Sequence, residues 1–239
     1  MREESRLEQI RESEKKSHME MYSNEELYKE GSWLRKPIKT VLDLIPLLAD
    51  YKELHVLDLG CGVGRNCIAI AQYYKHISCV IDCVDILELA ISKLYDNAEE
   101  YGVTSAINGI IKPIEEYPVQ EGKYDFIIAV SALEHIDSKE SLVHKLEEIS
   151  KGIRNNGIVC LVMNSNVTEK DKATGKEIPA QFEVNLSTEE LQALLNDTFD
   201  NWTIIKSTVG AQQYDIPREK GISELKTNVV TFVAKKREV

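Results

Sequence analysis

The sequence predicts an α/β protein: a parallel sheet with helices on both faces. Three observations predict it. Short apolar runs, each apolar on both faces, alternate with stretches of helical periodicity. The first run ends in a glycine-rich turn, Gly60-Cys61-Gly62-Val63-Gly64. The 239 residues are 43% hydrophobic, enough for one sizeable core and too apolar for a disordered chain.

Residues 1–30 are charged and become apolar only near Met19, Met21, Tyr22 and Leu27. They read as a helical arm, either a loosely docked extension or a lid over a pocket. Residues 31–239 show no repeat, linker or low-complexity segment and read as a single domain. Trp33 to Leu48 has helical spacing, with Pro46 ending or kinking it. Leu54 to Leu59 is a buried strand, and Arg65 to Tyr74 a helix. Ile77 to Val84 is the second strand, Ile86 to Tyr101 the second helix of the alternation, and Ala106 to Ile111 a weaker strand. Tyr124 to Val130 is a strong strand. Ser138 caps a helix reaching Lys151, Asn155-Asn156-Gly157 turns, and Ile158 to Met163 is a strand. Residues 164–186 read as a polar insertion, and Ser187 starts a helix. Trp202 to Val209 and Thr227 to Ala234 are β-rich, and the stretch 210–226 between them reads as a loop. Without a crossover helix those two strands pair antiparallel, giving seven strands.

Composition bounds the partners. Forty Asp and Glu against 29 Lys and Arg leave a net charge of −11, which disfavours nucleic acid. No run approaches the ~18 apolar residues of a membrane span, and no apolar signal segment opens the sequence. Five cysteines, an odd number without a C-x-x-C pair, predict reduced thiols, a cytoplasmic location and no metal site.

The chemistry concentrates at strand ends, where open α/β sheets bind ligands. A dinucleotide fingerprint needs glycines at 60, 62 and 65, and position 65 is Arg. Asp58 at the strand end would repel a pyrophosphate but suits a cationic ligand. S-adenosylmethionine carries an ammonium and a sulfonium and no phosphate. The alternative role for Asp58 is to accept bonds from nearby backbone amides. Asp85 follows Gly60 by 25 residues and fits a ribose-binding acid, a helix N-cap, or both. Ile86, with Pro113 and Ile114 across the cleft, would pack on an adenine. Val130 and Ser131 mark the fourth strand's end, where a methyl group would emerge. Gly60, Cys61, Gly62 and Asn66 complete the expected cofactor contacts, while Trp33 and Arg35 are candidates for contact with the substrate. A protonated acceptor would need a base, for which His135 and Tyr214 are the candidates, the alternatives being a helix-entry residue that shapes the pocket and plain loop packing.

The blocks Val56 to Asn66, Val84-Asp85-Ile86, Tyr124 to Ile128, Leu133-Glu134-His135-Ile136 and Asn156-Gly157-Ile158 occur in this order. Together they resemble the class I S-adenosylmethionine-dependent methyltransferases. The resemblance implies a Rossmann-like sheet in the order 3-2-1-4-5-7-6, its last strand antiparallel. It also implies S-adenosyl-L-methionine as cofactor, S-adenosyl-L-homocysteine as product and a small-molecule acceptor. A narrower resemblance, to the tellurite-resistance methyltransferase group, rests on the glycine-rich block, the Ser187 to Leu195 helix, the Trp202 strand, Thr208-Val209-Gly210 and the closing Thr231 to Lys236. That group implies a His-Arg pair soon after Gly210, where Gln213 and Tyr214 stand, so tellurite is not an expected substrate. An NAD-type oxidoreductase and a non-catalytic cofactor-binding module are the rival readings.

Overall fold

The computed structural model describes residues 2–218 and 221–238. The chain opens with α1 (Arg2–Asn24) and the short α2 (Lys39–Leu44), which tightens into a 3-10 turn at Ile45–Leu48. The expected helix from Trp33 begins only at Lys39, and Pro46, without an amide hydrogen for an α-helical bond, leaves its end as 3-10. Then follow β1 (Glu53–Leu59), α3 (Cys67–Tyr73), β2 (Ser78–Asp85), α4 (Glu88–Glu100), β3 (Ile107–Ile111) and β4 (Tyr124–Val130). The chain closes with α5 (Lys139–Gly152), β5 (Ile153–Asp171), β6 (Glu177–Ile178), α6 (Thr188–Thr198), β7 (Thr203–Arg218) and β8 (Gly221–Lys235).

The sheet runs β3-β2-β1-β4-β5-β8-β7, with β6 pairing off β5. The first five strands are parallel, and β8 lies antiparallel between β5 and β7. This is the expected order of a mixed Rossmann-like sheet. Both faces are covered. Val56, Ile70, Ile81, Ile91 and Ile128 belong to one core, under α3 and α4. Leu57, Ile127, Leu146, Leu161 and Leu195 belong to the other, under α5 and α6. Strand residues buried alternately on two faces are what made the strands read as continuous apolar runs.

Helix starts follow local chemistry. Ser138 Oγ accepts the Ser141 amide at 3.1 Å, capping α5. Ser187 Oγ accepts the Glu190 amide at 3.1 Å, and Ser-x-x-Glu is the capping-box spacing for α6.

The carboxyl-terminal region corrects two expectations. Residues 164–171 are strand, not a polar insertion. Ser165, Val167 and Glu169 alternate inward, and the buried Glu169 carboxylate takes a two-pronged bond from Arg218 at 2.7 and 2.8 Å. Charge pairing lets a polar side chain stand at a buried strand position, which hides the alternation. The expected 210–226 loop is likewise two strands, with β7 and β8 paired from Thr203–Lys235 to Arg218–Gly221 and one register shift between Ile204 and Lys206. Glu219 and Lys220 of that loop lie outside the described residues, as do Met1 of the expected arm and Val239 of the expected domain. The Asn155-Asn156-Gly157 turn is an irregularity inside β5, with Asn156 left-handed at φ 66° and a register shift against β4 between Tyr124 and Phe126.

Candidate active site

β1 lies between β2 and β4, so the chain crosses over in opposite directions on its two sides. Ligand crevices in open α/β sheets form at the carboxyl ends of strands at such a switch point. A cavity of about 970 Å³ opens there.

The glycine-rich turn reaches the cavity wall through Gly60. Gly60 and Cys61 donate their amides to Val84 O at 2.8 and 3.0 Å, tying the turn to the end of β2. Gly60 is left-handed at φ 73°, and an added Cβ would stand 2.3 Å from Ala132 Cβ, just past β4. Gly62, at φ 54°, has the Tyr22 hydroxyl where a Cβ would go, at 2.7 Å. Only glycine lets β4 and α1 approach this loop so closely.

Asp85 closes β2 and lines the cavity. Its Oδ2 accepts the Gly62 amide and its Oδ1 the Leu87 amide, both at 2.9 Å. The carboxylate therefore fixes the glycine loop and the entry to α4 together. Burial raises its pKa, and those amide bonds work in the opposite direction. Asp58 lies deeper, 1% exposed, with Oδ2 lacking any hydrogen-bond partner. Burial pushes its pKa up to about 7. Hydrogen bonding from Cys67 and the charge of Arg65 favour its ionised form, and Asp85 disfavours it.

Seven expected residues line the cavity: Gly60, Asp85, Ile86, Pro113, Ile114, Ser131 and His135. Ser131 is left-handed at φ 50° and donates its amide to Val162 O at 2.7 Å. The expected contacts Asp58, Cys61, Gly62, Asn66 and Val130 do not line it. Asn66 instead accepts the Ile38 amide at 3.1 Å, securing the segment before α2. Burial pushes the Cys61 thiol up to about 12, which makes it a poor nucleophile. The expected substrate contacts Trp33 and Arg35 lie off the cavity as well. Tyr214 is on β7 opposite Leu225, and its ring meets Trp33 edge-on with centroids 6.2 Å apart. Tyr214 packs rather than reaching the site, on a paired strand instead of the expected loop.

About half of the cavity wall comes from α1, through Arg11, Lys15, Lys16, His18, Met19 and Tyr22 among others. Arg11 pairs with Glu115, and Ser13 Oγ donates to Gln181 Oε1 at 2.7 Å, so the helix bridges the site. The sequence signal for this was the apolar turn at Met19 to Tyr22. Glu115 and Glu183, both in the wall, carried no signal. Among the described residues, no group of three metal-binding side chains is placed to hold an ion.

Residues 56–157 match the family model described as "Methyltransferase domain". The chain has the class I methyltransferase fold. Among solved structures, TehB from Haemophilus influenzae is similar at a TM-score of 0.60 and 20% identity, over 82% of this chain and 62% of that one. Geranyl diphosphate methyltransferase in complex with SAM is similar at 0.55 and 12%, over 82% and 84%. Among curated proteins, ajmaline N-methyltransferase of Rauvolfia serpentina is 23% identical over 101 residues, 41% of this chain and 33% of its own length. The chain thus spans about a third of the length of the first curated relatives it matches. The methyltransferase model ends at residue 157, so β7, β8 and α1 lie outside the matched segment. No helix among the described residues is long and apolar enough to cross a membrane.

Proposed function

We propose that the chain is an S-adenosylmethionine-dependent methyltransferase acting on a small molecule. One observation carries this reading: Asp85, at the tip of β2, lines the cavity with each carboxylate oxygen anchored by a backbone amide. Each oxygen keeps a second lone pair, which suits the two hydroxyls of a ribose. Ile86 and Ile114 line the same cavity and offer apolar faces to an adenine. Asp58 is buried beneath the loop with one oxygen lacking a hydrogen-bond partner, a carboxyl whose ionised form a nearby cation would favour and a pyrophosphate would disfavour. Arg65 in place of a third glycine points the same way. These residues fit S-adenosylmethionine, which when bound supplies an activated methyl group.

The chain's own part is positioning. Transfer needs the acceptor held in line with the methyl carbon, and the sulfur leaves neutral, so no departing anion must be stabilised. The strained Ser131 and the Ala132–Gly60 contact fix the rim where the acceptor would stand. α1 roofs that rim and would exclude water. A cavity of about 970 Å³ sits at the top of the ~300–1,000 Å³ range of small-molecule sites. It has room for cofactor and a small acceptor, but a roof of helix leaves none for a macromolecule. The small-molecule names of the alkaloid and geranyl diphosphate enzymes support the same acceptor class. Reduced cysteines support a cytoplasmic setting.

Isothermal titration of the chain with S-adenosylmethionine, S-adenosylhomocysteine and NAD tests the reading. Both methionine compounds should bind and NAD should not. Saturable NAD binding with neither methionine compound bound would overturn it in favour of an oxidoreductase.

A further inference from the structure

We propose that His135 and Glu183 form a proton-accepting pair, so that the acceptor is a molecule whose nucleophile arrives protonated, a hydroxyl or an amine. The inference rests on the methyltransferase reading above and narrows its substrate class.

His135 ends the single 3-10 turn Leu133–His135 that follows β4, and its ring lines the cavity. Its Nδ1 stands 2.9 Å from Glu183 Oε2. The Glu183 side chain is 2% exposed, although it comes from the segment ahead of α6. That segment is pinned to the β4 tip by the Val184 amide, which donates to Glu134 O at 3.0 Å. Phe182 stacks on the imidazole, with centroids 5.1 Å apart and planes 27° apart. The other Glu183 oxygen lies 3.9 Å from Arg11 Nε of α1.

A buried carboxylate is costly unless it is paired. Here a carboxylate is buried against one ring nitrogen of a cavity-lining histidine, with an aromatic fixing the ring plane. A histidine that only shaped the wall would need neither. A carboxylate on Nδ1–H selects the tautomer whose Nε2 is the base, and it stabilises the imidazolium that forms. Among the described residues, Glu183 meets the ring, Arg11 reaches Glu183 and Glu115, and Glu134 is buried beside His135. Asp85 and His18 face the same cavity.

In the step, His135 Nε2 takes the acceptor's proton while Nδ1–H stays on Glu183. The acceptor's lone pair makes the new bond to the methyl carbon as the carbon–sulfur bond breaks. The electrons of that bond leave with sulfur as a neutral thioether, and the imidazolium returns its proton to water. A thiolate or oxyanion acceptor would need none of this.

Two measurements on the full chain test the proposal. Nitrogen-15 histidine NMR without cofactor should show His135 with its hydrogen on Nδ1. The ring's titration midpoint should move to lower pH in Glu183→Gln, because a stabilising negative charge is lost. A hydrogen on Nε2, or an unmoved midpoint, would overturn the pair. The second measurement is methyl transfer from S-adenosylmethionine to a panel of phenols, primary amines and thiols. Transfer to a phenol or amine is expected, rising with pH through the imidazole range. His135→Asn should slow it about 100-fold or more. Glu183→Gln should slow it about tenfold with the same acid shift of the profile, and Glu183→Asp should recover part of the rate. Affinity for S-adenosylhomocysteine should stay within about twofold in each variant, which separates loss of the base from loss of the fold. Transfer confined to thiols, a His135→Asn variant near the wild-type rate, or no transfer to any phenol or amine by a chain that binds S-adenosylhomocysteine would each overturn the proposal. A chain that binds no methionine compound would instead defeat the methyltransferase reading.

Discussion

Replacing Gly60 with alanine tests the closeness of the glycine loop to β4. Two costs can be worked from the geometry. Gly60 sits at φ 73°, and an L-residue held in the left-handed region costs roughly 1–2 kcal/mol. The new Cβ would stand 2.3 Å from Ala132 Cβ, where ordinary contact begins at 3.4 Å. The tips of β1 and β4 would have to part by about an ångström, an overpacking cost of about 1–3 kcal/mol. Together Gly60→Ala should lose about 2–5 kcal/mol, a large share of the ~5–15 kcal/mol that holds a domain folded. Urea titration followed by circular dichroism measures it. The two costs can then be separated. Ala132→Gly removes the atom that is struck but not the backbone strain. In a double-mutant cycle the pair should show a coupling of about 1–3 kcal/mol, leaving about 1–2 kcal/mol unrecovered. A single variant within about 0.5 kcal/mol of wild type, the usual scatter of harmless substitutions, would refute the reasoning. So would a cycle with no coupling.

Asp85→Asn keeps the side chain's shape but leaves one acceptor oxygen where there were two, so affinity for S-adenosylhomocysteine should fall by about 1–3 kcal/mol by titration calorimetry. Unchanged affinity would remove Asp85 from the site. Asp58 should give a pH signature: burial lifts its folded pKa to about 7 from an ordinary 3.8. The folded chain then holds a proton that the unfolded chain releases, so this contribution is present at low pH and is lost as pH rises through that window. The stability of wild type relative to Asp58→Asn should therefore decline between about pH 4 and 7, and a flat difference would contradict a carboxyl whose burial outweighs its favourable contacts. Tyr22→Ala removes the side chain that seats α1 on Gly62. Hydrogen exchange in α1 should quicken about 100-fold, the equivalent of losing ~3 kcal/mol of aromatic packing, while β1 and β4 stay protected. Equal exchange in all three would show that α1 does not dock through Tyr22.

The sheet was legible because its central strands are buried on two faces. Leu54 to Leu59 and Tyr124 to Val130 carry that signature in their residues. Asp85 was legible because a strand, a turn and a helix start leave little freedom for where an acid between them can stand. The antiparallel pairing of β7 and β8 was legible, but the extension of β5 past Met163 and of β7 and β8 through residues 210–226 was not. Their stability comes from backbone pairing and from the Glu169–Arg218 ion pair, formed across 49 residues, neither of which leaves a local pattern. Tyr214 was misplaced for the same reason. Glu183 was invisible because its meaning depends on a fold that brings it to His135 across 48 residues. Asn66, a candidate for the ligand beside the glycine turn, instead accepts the Ile38 amide across 28 residues, a contact that leaves no local pattern.

The central claim is that the cavity between β1, β2 and β4 holds S-adenosylmethionine with Asp85 on its ribose. A crystal structure of the full chain with S-adenosylhomocysteine tests it most directly. Both ribose hydroxyls should lie within hydrogen-bond distance of the Asp85 oxygens, the adenine should lie between Ile86 and Ile114, and the sulfur should face the rim formed by Ser131 and His135. A ligand bound elsewhere, or one whose ribose lies away from Asp85, would contradict the account.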